Sequence, residues 1–212
     1  MLSIVLSRKD FREFDQIISV YNEEKGKISL VVRGVKKIVS KNSAHLEPFS
    51  LVNIDIEKGK EFDYLTRVYI EDYFKGIRQN LDKSLVASFV IYLVDKLFSE
   101  GAGDERFFYF LHNFFVYLDN LEKIEKKEII LLIDFFVVNL LYFLGFKLSN
   151  DEKVFNSRYL DDIIRLENSS YENLFNIDFE LYLAKKTHNF LHNLLQFHTE
   201  KRIADWAQTC II

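Results

Sequence analysis

The sequence has one cysteine, one proline, one methionine and one tryptophan in 212 residues. The lone Cys210 excludes an internal disulfide and any cysteine-rich zinc site, and it fits a reducing compartment. There is no G-x-x-x-x-G-K-[S/T] run and no G-x-G-x-x-G run, so no loop is built to cradle nucleotide phosphates. Nor does a G-x-S-x-G or a cysteine-nucleophile motif occur. The reading is therefore non-enzymatic, with no catalytic residue and no cofactor. The N-terminal stretch MLSIVLSRKD lacks a long apolar run leading to a small-residue cleavage site, which points away from a secretory signal and toward the cytoplasm. One membrane suspect exists, Ile129 to Phe146. It carries Asp134 and Asn139 inside the apolar run, and so reads as a buried core helix and not as a span.

Apolar residues make up 49% of the chain, enough for a substantial core in one medium domain or two small ones. The first 75 residues read as short strands at Ile4 to Leu6, Gln16 to Tyr21, Lys27 to Arg33, Leu51 to Glu57 and Tyr64 to Ile70, separated by charged or glycine-containing turns. A period of two sends Ile28, Leu30 and Val32 to one face and Lys27, Ser29, Val31 and Arg33 to the other. Five such strands with a basic surface fit an OB-fold barrel. After Gly76 the apolar spacing becomes helical: Leu85, Phe89, Tyr92, Leu93 and Leu97, then Phe107, Phe110, Leu111, Phe114 and Leu118. Ile129 to Leu144 reads as a central helix, and Phe179 to Phe197 as a later amphipathic one. The segment from Gly145 to Ile177 is mixed and polar, with a short helix at Tyr159 to Arg165.

The formal net charge is −4, which by itself argues against a polyanion partner. Its distribution argues the other way. Residues 1–75 sum to +1 and residues 76–212 to −5, and six cations (Lys25, Lys27, Arg33, Lys36, Lys37 and Lys41) lie between Lys25 and Leu46 with no acid among them. Local charge density governs counterion release, so this cluster is the candidate polyanion site. Tyr21, beside the hairpin that delivers Lys27, is a candidate stacking platform, although a strand tyrosine is more often packed. Other clusters weigh less. His188 and His192 share a helix face, yet with His198 dependent on how the helix ends they do not make a metal site. Asp161 and Asp162 point about 100° apart on a helix and read as a solvated helix start. The stripe from Phe107 to Leu118 has the spacing of a core face.

The ordered series Val5, Leu6, Glu13, Asp15, Ile17 to Tyr21, Gly26, Lys27, Arg33, Gly34, Lys37, Ser40, Lys41, Leu46, Pro48 and Phe49 resembles the start of the RecO family of DNA-repair mediators. LLYFLGF at Leu140 to Phe146 resembles the end of a helix in that family. The resemblance implies an α+β chain, with a five-stranded OB-fold over residues 1–76 followed by an all-α domain over residues 77–212. It also implies binding of single- and double-stranded DNA, annealing of complementary strands, and work with RecR and single-strand-binding protein to load RecA. Many members carry a four-cysteine zinc module after the LGF segment; here no cysteine stands from Lys147 to Ile177, so zinc is not carried over. On this reading Lys25, Lys27, Arg33, Lys36, Lys37 and Lys41 bind DNA backbone. Lys185 and Lys186 are chosen for the rim of a pocket that takes the acidic C-terminal tail of single-strand-binding protein. The rival reading is an OB-fold RNA-binding or ribosome-associated protein, in which the same cations meet folded RNA.

Overall fold

The computed structural model describes residues 1–36, 44–176 and 181–204. Five strands, β1 (Leu2–Asp10), β2 (Gln16–Asn22), β3 (Gly26–Val32), β4 (Leu51–Glu57) and β5 (Asp63–Asp72), close a barrel in the order β1-β2-β3-β5-β4. The β1–β2–β3 meander and the β4–β5 hairpin are antiparallel. Closure comes from β1 pairing with β4 and from a short parallel contact that sets Leu30 against Asp63 and Val31 against Tyr64. This is the five-stranded Greek-key barrel of an OB-fold. Its interior is filled by Val5, Ile18, Val20, Leu30, Val32, Val52, Ile54, Leu65 and Val68, the inward halves of alternating strands.

The chain divides into two compact units, Met1–Leu121 and Glu122–Ile212. The first holds the barrel together with α1 (Lys75–Arg78), α2 (Leu81–Leu97) and α3 (Glu105–Asn120). Asn80 caps α2 by accepting from the Lys83 amide at 3.1 Å, and Asp104 caps α3 by accepting from the Arg106 amide at 2.9 Å. The change from strand to helix at residues 73–76 therefore falls inside the first unit, because these helices pack on the barrel. Tyr21 shows how closely. It is fully buried, with its ring edge-on to Phe98 at 5.2 Å and Phe107 at 5.1 Å, and its hydroxyl accepts from the Asp104 amide at 3.2 Å. Burial pushes its phenol up to about 12. Tyr21 is thus a core residue joining barrel to helix, and it offers no stacking platform.

Two further pins hold helix to barrel. Gly26 has φ +68°, and a Cβ there would lie 2.3 Å from the Ala102 carbonyl oxygen, so only glycine lets the β2–β3 turn meet the Gly101–Ala102–Gly103 loop. Arg78 donates to the Pro48 carbonyl and the Ser50 hydroxyl, with its guanidinium between the rings of Tyr73 at 3.9 Å and Phe49 at 4.2 Å. Inside the helical layer the buried Lys83 ammonium donates to the carbonyls of Asp119 and Leu121, neutralising the negative end of α3.

The second unit holds α4 (Lys126–Phe143), α5 (Glu152–Phe155), α6 (Leu160–Glu167) and α7 (Leu181–Thr199). Every residue of α4 from Ile129 to Val138 is buried, the signature of a central helix covered on all sides. No helix among the described residues is long and apolar enough to cross a membrane. The polar residues inside α4 have partners: Asp134 meets His188 of α7 at 2.6 Å, and the Asn139 amide donates to the Phe135 carbonyl. His188 is therefore engaged with a buried carboxylate, and the His192 ring lies alongside it at 6.4 Å. The polar segment after α4 packs through Leu148, Val154, Ile163, Leu166 and Leu174, all fully or nearly fully buried.

Candidate nucleic-acid interface

Three connections converge at one end of the barrel. The β1–β2 turn over residues 11–15 is closed by the Asp15 carbonyl, which accepts from the Phe11 amide at 3.2 Å. The Asp15 carboxylate then accepts from the Gly34 amide at 2.8 Å, and the Phe14 carbonyl from the Lys36 amide at 3.1 Å, which fixes the exit of β3 beside this turn. Gly34 sits at φ +63°, a left-handed conformation that turns the chain sharply out of the strand. The β4–β5 connection joins through rings, with Phe62 edge-on to Phe11 at 5.4 Å. Gly59 brings its backbone onto Tyr64, where a Cβ would lie 2.7 Å from the ring.

Two arginines lie over this aromatic rim. Arg33 covers the Tyr64 ring at 4.0 Å, and Arg12 covers Phe11 at 4.9 Å. A guanidinium so held keeps its charge and its donors outward, which suits both phosphate oxygens and the faces of bases. Lys36 pairs with Asp10 at 3.1 Å on the surface. Hydrogen bonds from Gln16 and Lys36, with the charge of Lys36, hold the Asp10 carboxyl below its ordinary value. An exposed pair of this kind is worth little and exchanges readily for a phosphate.

The six cations of the sequence cluster are thus not one groove. Arg33 and Lys36 stand at the loop end, and both are exposed. Lys25 lies in the β2–β3 turn at the opposite end, about 20 Å away along a seven-residue strand. Lys27 points outward as alternation requires, but α2 covers that side. Its ammonium meets the Asp95 carboxylate at 3.1 Å, and also the Asp95 carbonyl. Asp95 further accepts from Ser19 at 2.7 Å and Ser7 at 3.0 Å. Burial raises the Asp95 carboxyl, yet hydrogen bonds from Ser19 and Lys27 and the charge of Lys27 more than offset this, leaving it below its ordinary value. The expectation that Lys27 and Arg33 share one open face is corrected on that ground: the helix docks on the Lys27 end, and Arg33 alone of the two is exposed. Lys37 and Lys41 lie outside the described residues.

Sequence reasoning passed over the rim aromatics. Phe62 is 38% and Phe14 44% exposed. Their signal was a phenylalanine flanked by charges in a turn, DFREFD and GKEFDY, outside any apolar periodicity. In the second unit, Lys185 is exposed on α7 and Lys186 is half-buried. A groove of about 360 Å³ in that unit is lined by Val138, Asn139, Tyr142, Lys147 and Glu167 among others, and neither Lys185 nor Lys186 lines it.

A barrel of this order, with its loop end rimmed by arginine and aromatic rings, is the architecture of an oligonucleotide-binding module. Sequence comparison agrees and goes further. Residues 2–74 match the family model described as "Recombination protein O N terminal", and residues 78–163 match "Recombination protein O C terminal". The chain belongs to the RecO family. It is similar to the DNA repair protein RecO of Geobacter metallireducens, 29% identical over 149 residues that cover 70% of this chain and 59% of that one. It is also similar to that of Syntrophomonas wolfei, 29% identical over 148 residues (68% and 56%), and to that of Rubrobacter xylanophilus, 32% identical over 123 residues (58% and 48%). The chain spans about half the length of the relatives it matches.

Proposed function

We propose that this chain is a RecO-type recombination mediator that binds single- and double-stranded DNA and anneals complementary strands. In the cytoplasm it would act with RecR and single-strand-binding protein to load RecA, without covalent chemistry of its own. The observation that carries the reading is the convergence of Arg12, Arg33 and Lys36 with exposed aromatic rings at one end of an OB-fold, in a chain whose first 74 residues match the family's N-terminal model. Annealing needs only that phosphate repulsion between two strands be lowered while their base edges stay free. Arg33, Lys36, Lys37 and Lys41 supply the charge for this; Lys25 adds to it from the far end, and Lys27 adds least because Asp95 already balances it.

Residues 1–76 are the DNA-binding half in this reading, and residues 77–212, at −5, the half that docks proteins. The acidic, apolar-ended tail of single-strand-binding protein needs an apolar floor and cations at its rim. Lys185 and Lys186 remain the proposed rim on the strength of their place on α7. The rival reading, an RNA-binding or ribosome-associated protein, predicts preference for a folded anion.

A competition experiment separates the two. A labelled single-stranded DNA bound to the full chain should be displaced by unlabelled single-stranded DNA at far lower concentration than by a structured RNA of equal phosphate count. Equal or better displacement by the RNA would favour the rival.

A further inference from the structure

We propose that the groove beside Phe62 at the edge of β3 receives unpaired nucleobases, so that the barrel reads strandedness by stacking as well as by charge. This rests on the reading of the barrel as the strand-binding half. The groove has a volume of about 630 Å³. Ile17 and Val31 from the outer face, with Ile28 and Leu30 at the edge of β3, give it an apolar floor, and Phe62 and the backbone at Gly59 form its wall. It lies past the part of β3 that α2 covers, where Lys27 meets Asp95.

The charges around the groove tell which part of a strand belongs in it. Glu61, Asp63 and Glu100 line it, with Lys60 as the single cation among the described residues, and the Ser29 hydroxyl donates to Glu100. Three carboxylates repel phosphate. They do, however, accept hydrogen bonds from the exocyclic amines of cytosine, adenine and guanine. A flat, neutral, donor-bearing ring is therefore the group that this apolar-floored, acid-rimmed groove fits. The phosphates find their place one step away, at Arg33. Val31 faces Tyr64 across the parallel β3–β5 contact, and the Arg33 guanidinium lies on that Tyr64 ring at 4.0 Å. A strand crossing this edge sets its backbone over Arg33 and Lys36 and turns its bases toward Phe62. Bases of an intact duplex are paired and stacked and do not enter, so the groove selects the unpaired strand.

The test uses the full chain and two probes of equal length and charge: a short oligodeoxycytidine, and an abasic oligomer that keeps the phosphates and lacks the bases. The parent protein should bind the oligodeoxycytidine about tenfold more tightly, the effect of stacking one base. Phe62→Ala should erase that preference, and Phe62→Trp should restore it. Equal affinity of the parent for both probes would overturn the inference while leaving the charge-based reading of the barrel intact. So would a Phe62→Ala variant that keeps the tenfold preference. Binding of neither probe would overturn the inference and the DNA-binding reading together.

Discussion

Replacing Lys36, Lys37 and Lys41 together by alanine is expected to weaken binding of single-stranded DNA about a hundredfold near 0.1 M salt. The magnitude follows from counterion release: each phosphate neutralised on a single strand contributes about −0.7 to the slope of log affinity against log salt, or roughly fivefold in affinity per contact near 0.1 M. If about five phosphates are neutralised by the parent, its slope is about −3.5, and the triple variant's should be shallower by about two. The variant should keep the parent's fold, because the pair of Lys36 with Asp10 lies on the surface and is worth little. The same loss should appear for every base sequence, since backbone contacts position without specifying. A folded triple variant with the parent's slope would show that the strand is held elsewhere on the molecule.

Asp95→Ala should destabilise the joint between α2 and the barrel strongly, lowering unfolding free energy by about 2–4 kcal/mol. The carboxylate answers three groups, Ser7, Ser19 and Lys27, from three strands, and its removal strands a largely buried ammonium against α2. Lys27→Met in the same chain should recover part of the loss, because the orphaned charge then disappears as well. The acid dependence has a definite sign. Asp95 has a folded value below its unfolded one, so its contribution is fully present above about pH 4 and is lost as pH falls through the lower, folded value. The gap between parent and variant in urea unfolding should therefore narrow on acidification. A gap under about 0.5 kcal/mol at neutral pH, the size of an ordinary surface substitution, would mean that the α2–barrel joint is not held by this network.

The strands were legible because alternation is local. Val52, Ile54 and Ile56 against Asn53, Asp55 and Glu57 place β4 at the bounds the structure has. The closure of the barrel was not legible in the same way, since it depends on a parallel meeting of β3 with β5 across more than thirty intervening residues and no short pattern encodes it. The misjudgement of Lys27 has the same origin. Periodicity correctly turns it outward, but whether outward means solvent depended on Asp95, 68 residues further along. Tyr21 failed as a platform for a related reason, its partners Phe98 and Asp104 lying on the α2–α3 connection and Phe107 in the first turn of α3. The aromatic rim escaped because loop residues carry no period; Phe11 and Phe62 become one surface only when two turns meet. In the helical unit the long apolar run of α4 announced a central helix, and its two polar interruptions marked the places where α7 and the helix's own backbone answer it.

The central claim is that this chain brings complementary DNA strands together. Its most direct test follows the annealing of two complementary oligonucleotides with the full chain, first bare and then coated with single-strand-binding protein. A mediator of this type should accelerate duplex formation in both settings, with the acceleration falling as salt rises along the same slope as binding. Binding of each strand without any acceleration of annealing, bare or coated, would contradict it.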